Sequence, residues 1–191
     1  MNNMHALRQT VPGSLQAQAQ ASGTSLAETF LSCDLIVLVD VSGSMQATDA
    51  PGGATRYDAA CRELAQLQAS HPGKLGVIAF STSPVFCPGG QPPMLGSGTD
   101  LAAALDYAHL VDGLCELVVI SDGEPNSQSD ALAAAARYRE SAISCVFVGP
   151  EGGPGADFLR KLAAASRGQS TTATNTANLA KQVSRLLLAA G

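Results

Sequence analysis

The sequence contains no tryptophan, and aromatic residues make up only 4% of its 191 residues. A core must therefore be built from Leu, Val, Ile and Ala, whose side chains let neighbouring elements pack closely. Hydrophobic residues amount to 46% of the chain, which is enough for a sizeable core. The length fits one domain with a short appendage better than two domains.

The sequence also lacks any apolar run of about 18 residues, the length that spans a membrane. Its first residues lack the apolar stretch of a secretory signal, so we expect a cytoplasmic protein without membrane contact. Basic residues are few: 11 Lys and Arg against 16 Asp and Glu give a net charge of −5. Because nucleic-acid surfaces need clustered Lys and Arg, this balance argues against a nucleic-acid partner.

Cysteine pairs are missing as well. The chain has five cysteines with no CxxC spacing, at positions Cys33, Cys61, Cys87, Cys115 and Cys145. Their odd number and scattered positions argue against a disulfide framework and against a zinc site. Buried free thiols in a reducing compartment are the better interpretation.

The composition of residues 1–30, with a Gln-Ala repeat at residues 16–21, predicts a flexible or partly helical N-terminal extension that ends in a short amphipathic turn or helix at residues 25–31. Residues 31–191 instead alternate apolar runs with stretches of helical spacing. The predicted strands are residues 35–39, 75–80, 117–120, 143–148, a short edge segment at 85–87 and a weak strand at 170–172. Predicted helices cover residues 56–69, 129–141, 157–165 and 175–189, and one more begins with Thr99 as its N-cap. This alternation predicts one α/β domain with a doubly wound, mostly parallel sheet flanked by helices.

Oxygen-bearing side chains follow the predicted strands at their carboxyl ends, where ligands bind in open α/β sheets. The first strand is followed by Asp-Val-Ser-Gly-Ser, and the third by Ser-Asp-Gly-Glu-Pro. Between them, Gly-Ser-Gly-Thr-Asp opens a helix. Convergence of these segments would bring together two carboxylates and three hydroxyls, those of Asp40, Asp122, Ser42, Ser44 and Thr99.

Such an oxygen-only ligand set suits Mg²⁺, Mn²⁺ or Ca²⁺ and not zinc or copper, which prefer nitrogen or sulfur. Neutral hydroxyls offset little of the ion's charge, so an open coordination position would attract an external carboxylate. Each segment alone is a weak signal, because Asp, Ser and Gly also mark ordinary turns. The conjunction, with every segment after a strand or at a helix start, favours a metal site.

The combination resembles the metal-ion-dependent adhesion site (MIDAS) of the von Willebrand factor A (vWA) domain. The resemblance is carried by Asp-x-Ser-x-Ser, a distant Thr and a distant Asp in that order, and by the string Gly-Thr-Asp-Leu-Ala-Ala-Ala-Leu at residues 98–105. It covers residues 34–188. It implies a six-stranded Rossmann-like sheet with a short antiparallel third strand at one edge.

For the metal, the resemblance implies direct binding by the Ser42 and Ser44 hydroxyls. Thr99 would bind directly in one state and through water in another, and this exchange could move the last helix. Asp40 and Asp122 would act mainly through bound waters. A partner's Asp or Glu would complete the coordination shell.

Short bacterial vWA domains of this type look like adaptors of MoxR-type AAA+ ATPases or members of tellurium-resistance and stress systems. By that analogy the chain is a non-enzymatic intracellular protein–protein interaction module. Two alternatives stay open at this point. One is a Mg²⁺-dependent phosphatase of the haloacid dehalogenase type, although Ser42 stands where such an enzyme needs a second Asp as general acid. The other is a structural or oligomer subunit in which a metal only stabilises the loops.

Overall fold

The computed structural model describes residues 10–50, 52–150 and 152–172. Its helices are α1 (Leu15–Ser22), α2 (Leu26–Leu31), α3 (Arg56–Ser70), α4 (Leu101–Ala108), α5 (Gln128–Ala135) and α6 (Pro154–Ala165). Its strands are β1 (Leu35–Asp40), β2 (Leu75–Phe80), β3 (Pro84–Phe86), β4 (Glu116–Ser121), β5 (Ile143–Phe147) and β6 (Ser170–Thr172). The helix predicted at residues 175–189 lies outside the described residues.

The strands form one six-stranded sheet in the order β3-β2-β1-β4-β5-β6. All neighbouring pairs are parallel except β2 and β3, which are antiparallel at the edge. Pro84 begins this edge strand, a position that proline tolerates because its missing N–H is not needed for a central ladder. The predicted doubly wound, mostly parallel sheet with an antiparallel edge strand is confirmed.

The central strand β1 is buried along its whole length, and its side chains belong to two cores on opposite faces of the sheet. Ile36 and Leu38 belong to the core that α4, α5 and α6 cover. Leu35, Val37 and Val39 alternate with them and belong to the core beneath α3. The two-residue period of a strand therefore explains why this sequence is apolar at every position.

Helix α5 ends at Ala135, six residues before the predicted end at residue 141. The reason lies in the Asp112 carboxylate, which accepts backbone N–H groups of residues 139, 140 and 141 at 3.0, 3.2 and 2.9 Å. These three donors are thus bonded outside any helix. The Ala-rich composition favours a longer helix, but this tertiary contact overrides it.

Helix α4 is capped by Asp100 rather than Thr99 as predicted, since the Asp100 side chain accepts the Ala103 N–H at 2.9 Å. Thr99 is therefore the residue before the N-cap, and its side chain does not cap the helix. Helix α6 starts three residues earlier than predicted, at Pro154, because proline fits the first helical turn, where no N–H partner is required.

The described part of the N-terminal segment contacts the sheet domain. Leu15, the first residue of α1, is fully buried. Backbone hydrogen bonds tie Val11 to Gly89, and Gly73 to Gly13, at 2.9 and 2.8 Å. Helix α2 begins with a capping box formed by Ser25 and Glu28. Among the residues that the structure describes, no helix is long and apolar enough to cross a membrane.

Candidate metal centre

The carboxyl ends of β1 and β4 form the crevice of the sheet. These strands are neighbours, yet the chain leaves β1 toward α3 on one face and leaves β4 toward α5 on the other. Such a divergence opens a gap at the topological switch point, where doubly wound sheets bind their ligands. Asp40 ends β1 and Asp122 directly follows β4, so the fold places both carboxylates at this gap.

Asp40 is completely buried and held on both carboxylate oxygens. Its Oδ1 accepts the Ser42 backbone N–H at 2.9 Å, and its Oδ2 accepts the Ser121 hydroxyl at 2.7 Å. Burial raises the pKa of Asp40 to about 6; hydrogen bonds from Ser42 and Ser121 lower it, and the charge of Asp122 raises it. The carboxylate is thus well oriented, but its negative charge is poorly compensated by the protein.

The two motif serines lie side by side in the turn after β1. Their Oγ atoms are 3.1 Å apart, with Ser42 buried and Ser44 half-buried at the start of a short 3-10 turn (Gly43–Gln46). Adjacent ligands of an octahedral Mg²⁺ or Mn²⁺ are separated by roughly 3.0 Å when each metal–oxygen bond is about 2.1 Å. The hydroxyl pair therefore fits two neighbouring positions of one hard cation.

Asp122 is 1% exposed, and both of its oxygens also have partners. Oδ1 accepts the Glu124 backbone N–H at 3.2 Å, and Oδ2 accepts a guanidinium N–H of Arg56 at 2.8 Å. The turn that carries Asp122 is packed against α6: a Cβ added to Gly155 would lie 1.8 Å from the Asp122 carbonyl oxygen. Only glycine at position 155 permits this approach.

Thr99 reaches the same region through its backbone. It is buried, and its N–H and C=O form hydrogen bonds with the side chain and backbone of Asn126 at 3.0 and 2.9 Å. Two residues earlier, the Ser97 carbonyl accepts the Gly43 N–H at 3.2 Å. The loop before α4 is thereby fixed against both the serine turn and the segment that follows Asp122.

The donor chemistry is consistent with a hard divalent cation. In the described part of the chain no three His, Cys, Asp or Glu side chains converge as a metal cluster, so a cation here depends on hydroxyl oxygens. Ser42, Ser44 and Thr99 would supply such oxygens beside two carboxylates. This oxygen-only set suits Mg²⁺ and Mn²⁺. It does not suit zinc, which prefers nitrogen and sulfur ligands.

Three contacts of the site were not predicted from the sequence. The sequence predicts no separate role for Ser121, although a polar side chain at the end of an apolar strand is a usable signal. Asn126 had no recognisable pattern. For Arg56 the helical spacing of residues 56–69 predicts only a place in a helix, with no acidic partner. A cation in the first turn of a helix is electrostatically unfavourable, and that anomaly indicates a nearby acidic partner.

No family model and no curated protein matches the sequence. Solved structures do match. An aerotolerance-related membrane protein from Bacteroides fragilis is similar at 19% identity and a TM-score of 0.67, over 82% of this chain and 98% of that chain. A von Willebrand factor type A structure from Catenulispora acidiphila aligns at 17% identity and a TM-score of 0.58, over 83% of this chain and 42% of that one.

A third similar structure is the manganese-loaded TRAP protein from Plasmodium vivax, at 20% identity and a TM-score of 0.56. It covers 81% of this chain and 73% of the TRAP chain. Identities of this size establish a common fold and nothing finer. Together with the strand order, these similarities show that the described residues have a Rossmann-like fold of the vWA type.

Proposed function

We propose that the chain is a metal-dependent protein–protein interaction module rather than an enzyme. Its site would hold Mg²⁺ or Mn²⁺ and present the ion to an Asp or Glu of a partner protein. The observation that supports this most strongly is the Ser42–Ser44 hydroxyl pair, 3.1 Å apart, next to the buried carboxylate of Asp40. Neutral ligands at two positions leave most of the ion's charge available to an incoming carboxylate.

Each residue of the site has a distinct part in this proposal. The hydroxyls of Ser42 and Ser44 would bind the ion directly, and Thr99 would add a third hydroxyl. Asp40 and Asp122 would act mainly through bound waters, because hydrogen bonds and an ion pair already occupy their oxygens. The bound ion would supply a concentrated positive charge that attracts a partner carboxylate.

The physiological setting that we propose is an intracellular adaptor, for instance of an AAA+ ATPase. All five cysteines are free, which suits a reducing compartment. A vWA-type fold supports a protein-interaction role by analogy, and the manganese-loaded TRAP structure supports a divalent metal. A hydrolase of the haloacid dehalogenase type is disfavoured, because the Ser42 hydroxyl cannot act as a general acid at neutral pH.

Carboxylate coupling is the decisive experiment for this function. Mn²⁺ is titrated calorimetrically into the EDTA-stripped protein with and without sodium acetate, which mimics a partner's carboxylate. Acetate should tighten Mn²⁺ binding by about fivefold or more, and an equal ionic strength of chloride should not. Equal affinity in acetate and chloride would instead favour a metal that only stabilises the loops.

A further inference from the structure

Arg56 connects the candidate metal centre to a carboxylate outside it. Its guanidinium donates from Nε and Nη2 to the two oxygens of Asp49, each at 2.8 Å. Its Nη1 donates to Oδ2 of Asp122, also at 2.8 Å. The Arg56 side chain is 13% exposed, that of Asp122 1% and that of Asp49 41%. A cation is therefore fixed against a buried carboxylate of the proposed site.

The position of Arg56 in the helix makes this arrangement unusual. Arg56 is the first residue of α3, where the partial positive charge of the helix N-terminus disfavours a cation. Contacts with two carboxylates outweigh that cost. The bidentate pair with Asp49 has the planar geometry that suits a guanidinium, and it holds the group in place independently of Asp122.

We propose that the positive charge of Arg56 lowers the affinity of the site for a divalent ion. Tight binding of the ion then depends on a carboxylate supplied by a partner. The inference rests on the metal site proposed above. Without an ion, Arg56 neutralises Asp122 in a place that water barely reaches. With an ion, the guanidinium remains tied to Asp49, so its positive charge stays close and repels the metal.

An incoming carboxylate relieves this repulsion, because it adds negative charge beside both cations. Because of Arg56, the site binds the ion weakly when the ion is alone and more tightly when a carboxylate is bound with it. A merely positioning role predicts the opposite effect of removing Arg56. If the guanidinium only oriented Asp122, its loss would weaken metal binding rather than tighten it.

The test compares the full chain with Arg56→Gln and with Arg62→Gln as a matched control. Arg62 lies on the same helix, is exposed, and its substitution changes the net charge equally. Mn²⁺ affinity is measured calorimetrically with and without acetate, and the melting temperature is measured in EDTA. Arg56→Gln should bind Mn²⁺ more tightly by on the order of tenfold. Its gain from acetate should be smaller than that of the wild type, and it should melt at a lower temperature in EDTA.

A second variant, Asp49→Asn, keeps Arg56 but removes the carboxylate that offsets part of its charge, so its Mn²⁺ affinity should lie below that of the wild type. Affinity of Arg56→Gln equal to or below that of the wild type would overturn the inference, and so would an unchanged melting temperature in EDTA. Failure of the proposed function looks different: the wild-type protein itself would bind no Mn²⁺.

Discussion

The Ser121 hydroxyl donates a hydrogen bond of 2.7 Å to Oδ2 of Asp40, joining the carboxyl ends of β1 and β4 inside the protein. The same Ser121 oxygen accepts the Gly123 backbone N–H at 3.0 Å, so it also supports the turn after Asp122. One hydroxyl thus links the two segments that carry the carboxylates of the site. Its removal should affect the charge state of Asp40 as well as its orientation.

Ser121→Ala should raise the pKa of Asp40, because the ionised carboxylate loses a donor while its burial is unchanged. Mn²⁺ affinity near pH 6 should fall by on the order of tenfold, since a hydrogen bond to a charged group contributes about 1.5–3 kcal/mol. Calorimetric titration measures both proteins. Ser70→Ala, which removes an exposed hydroxyl bonded to the Gln66 carbonyl, is the control and should leave the affinity unchanged.

Asp40 should also make the metal-free protein less stable as the pH rises. Burial raises the pKa of Asp40 in the folded state to about 6, above its ordinary value of 3.8, so its ionisation disfavours folding. The cost is absent below pH 3.8, grows through the interval up to about 6 and is complete above it. It is on the order of 3 kcal/mol.

Urea unfolding in EDTA at several pH values checks this prediction. Asp40→Asn cannot ionise, so its free energy of unfolding should exceed that of the wild type increasingly between pH 4 and pH 7. Added Mn²⁺ should reduce the difference by favouring the ionised wild-type carboxylate. A constant difference across this pH range would show that Asp40 has an ordinary pKa in the folded protein.

Gly155→Ala should destabilise the protein and weaken the site together. The new Cβ would lie 1.8 Å from the Asp122 carbonyl oxygen, and backbone atoms cannot yield cheaply. We expect a loss of about 2 kcal/mol or more in the free energy of unfolding, with a lower Mn²⁺ affinity. The control is Gly43→Ala inside the serine turn, where the nearest atom to a new Cβ is 3.8 Å away. Gly43→Ala should stay within about 0.5 kcal/mol of the wild type.

The sequence predicted the sheet well because its signals are local. A run such as residues 35–39 is apolar at every position, which is typical of a short strand buried on both faces. The lengths and caps of helices depend on distant contacts. Helix α5 ends early because its following residues donate hydrogen bonds to Asp112, which lies 27 or more positions away in the sequence. Nothing in the Ala-rich run itself indicates this contact.

For the candidate site, too, the residues with local sequence signals could be predicted and those defined by distant contacts could not. Asp40, Ser42, Ser44, Thr99 and Asp122 could be proposed because each follows a strand or precedes a helix, and their metal-binding role stays a prediction. The roles of Ser121 and Arg56 could not be predicted, because both residues form hydrogen bonds with residues far away in the sequence. Arg56 reaches Asp122 across 66 positions. No spacing rule within a single sequence predicts such a contact.

Whether the Ser42–Ser44 pair binds a divalent ion can be measured directly. Mn²⁺ is titrated into EDTA-stripped protein, the double variant Ser42→Ala/Ser44→Ala and the control Ser22→Ala/Thr24→Ala, and the unbound ion is followed by electron paramagnetic resonance. The control removes an exposed pair of hydroxyls, 2.7 Å apart, at the end of α1. We predict saturable binding in the wild type and the control and its loss in the motif variant. Equal binding in all three proteins, or none in the wild type, would show that the Ser42 and Ser44 hydroxyls hold no ion.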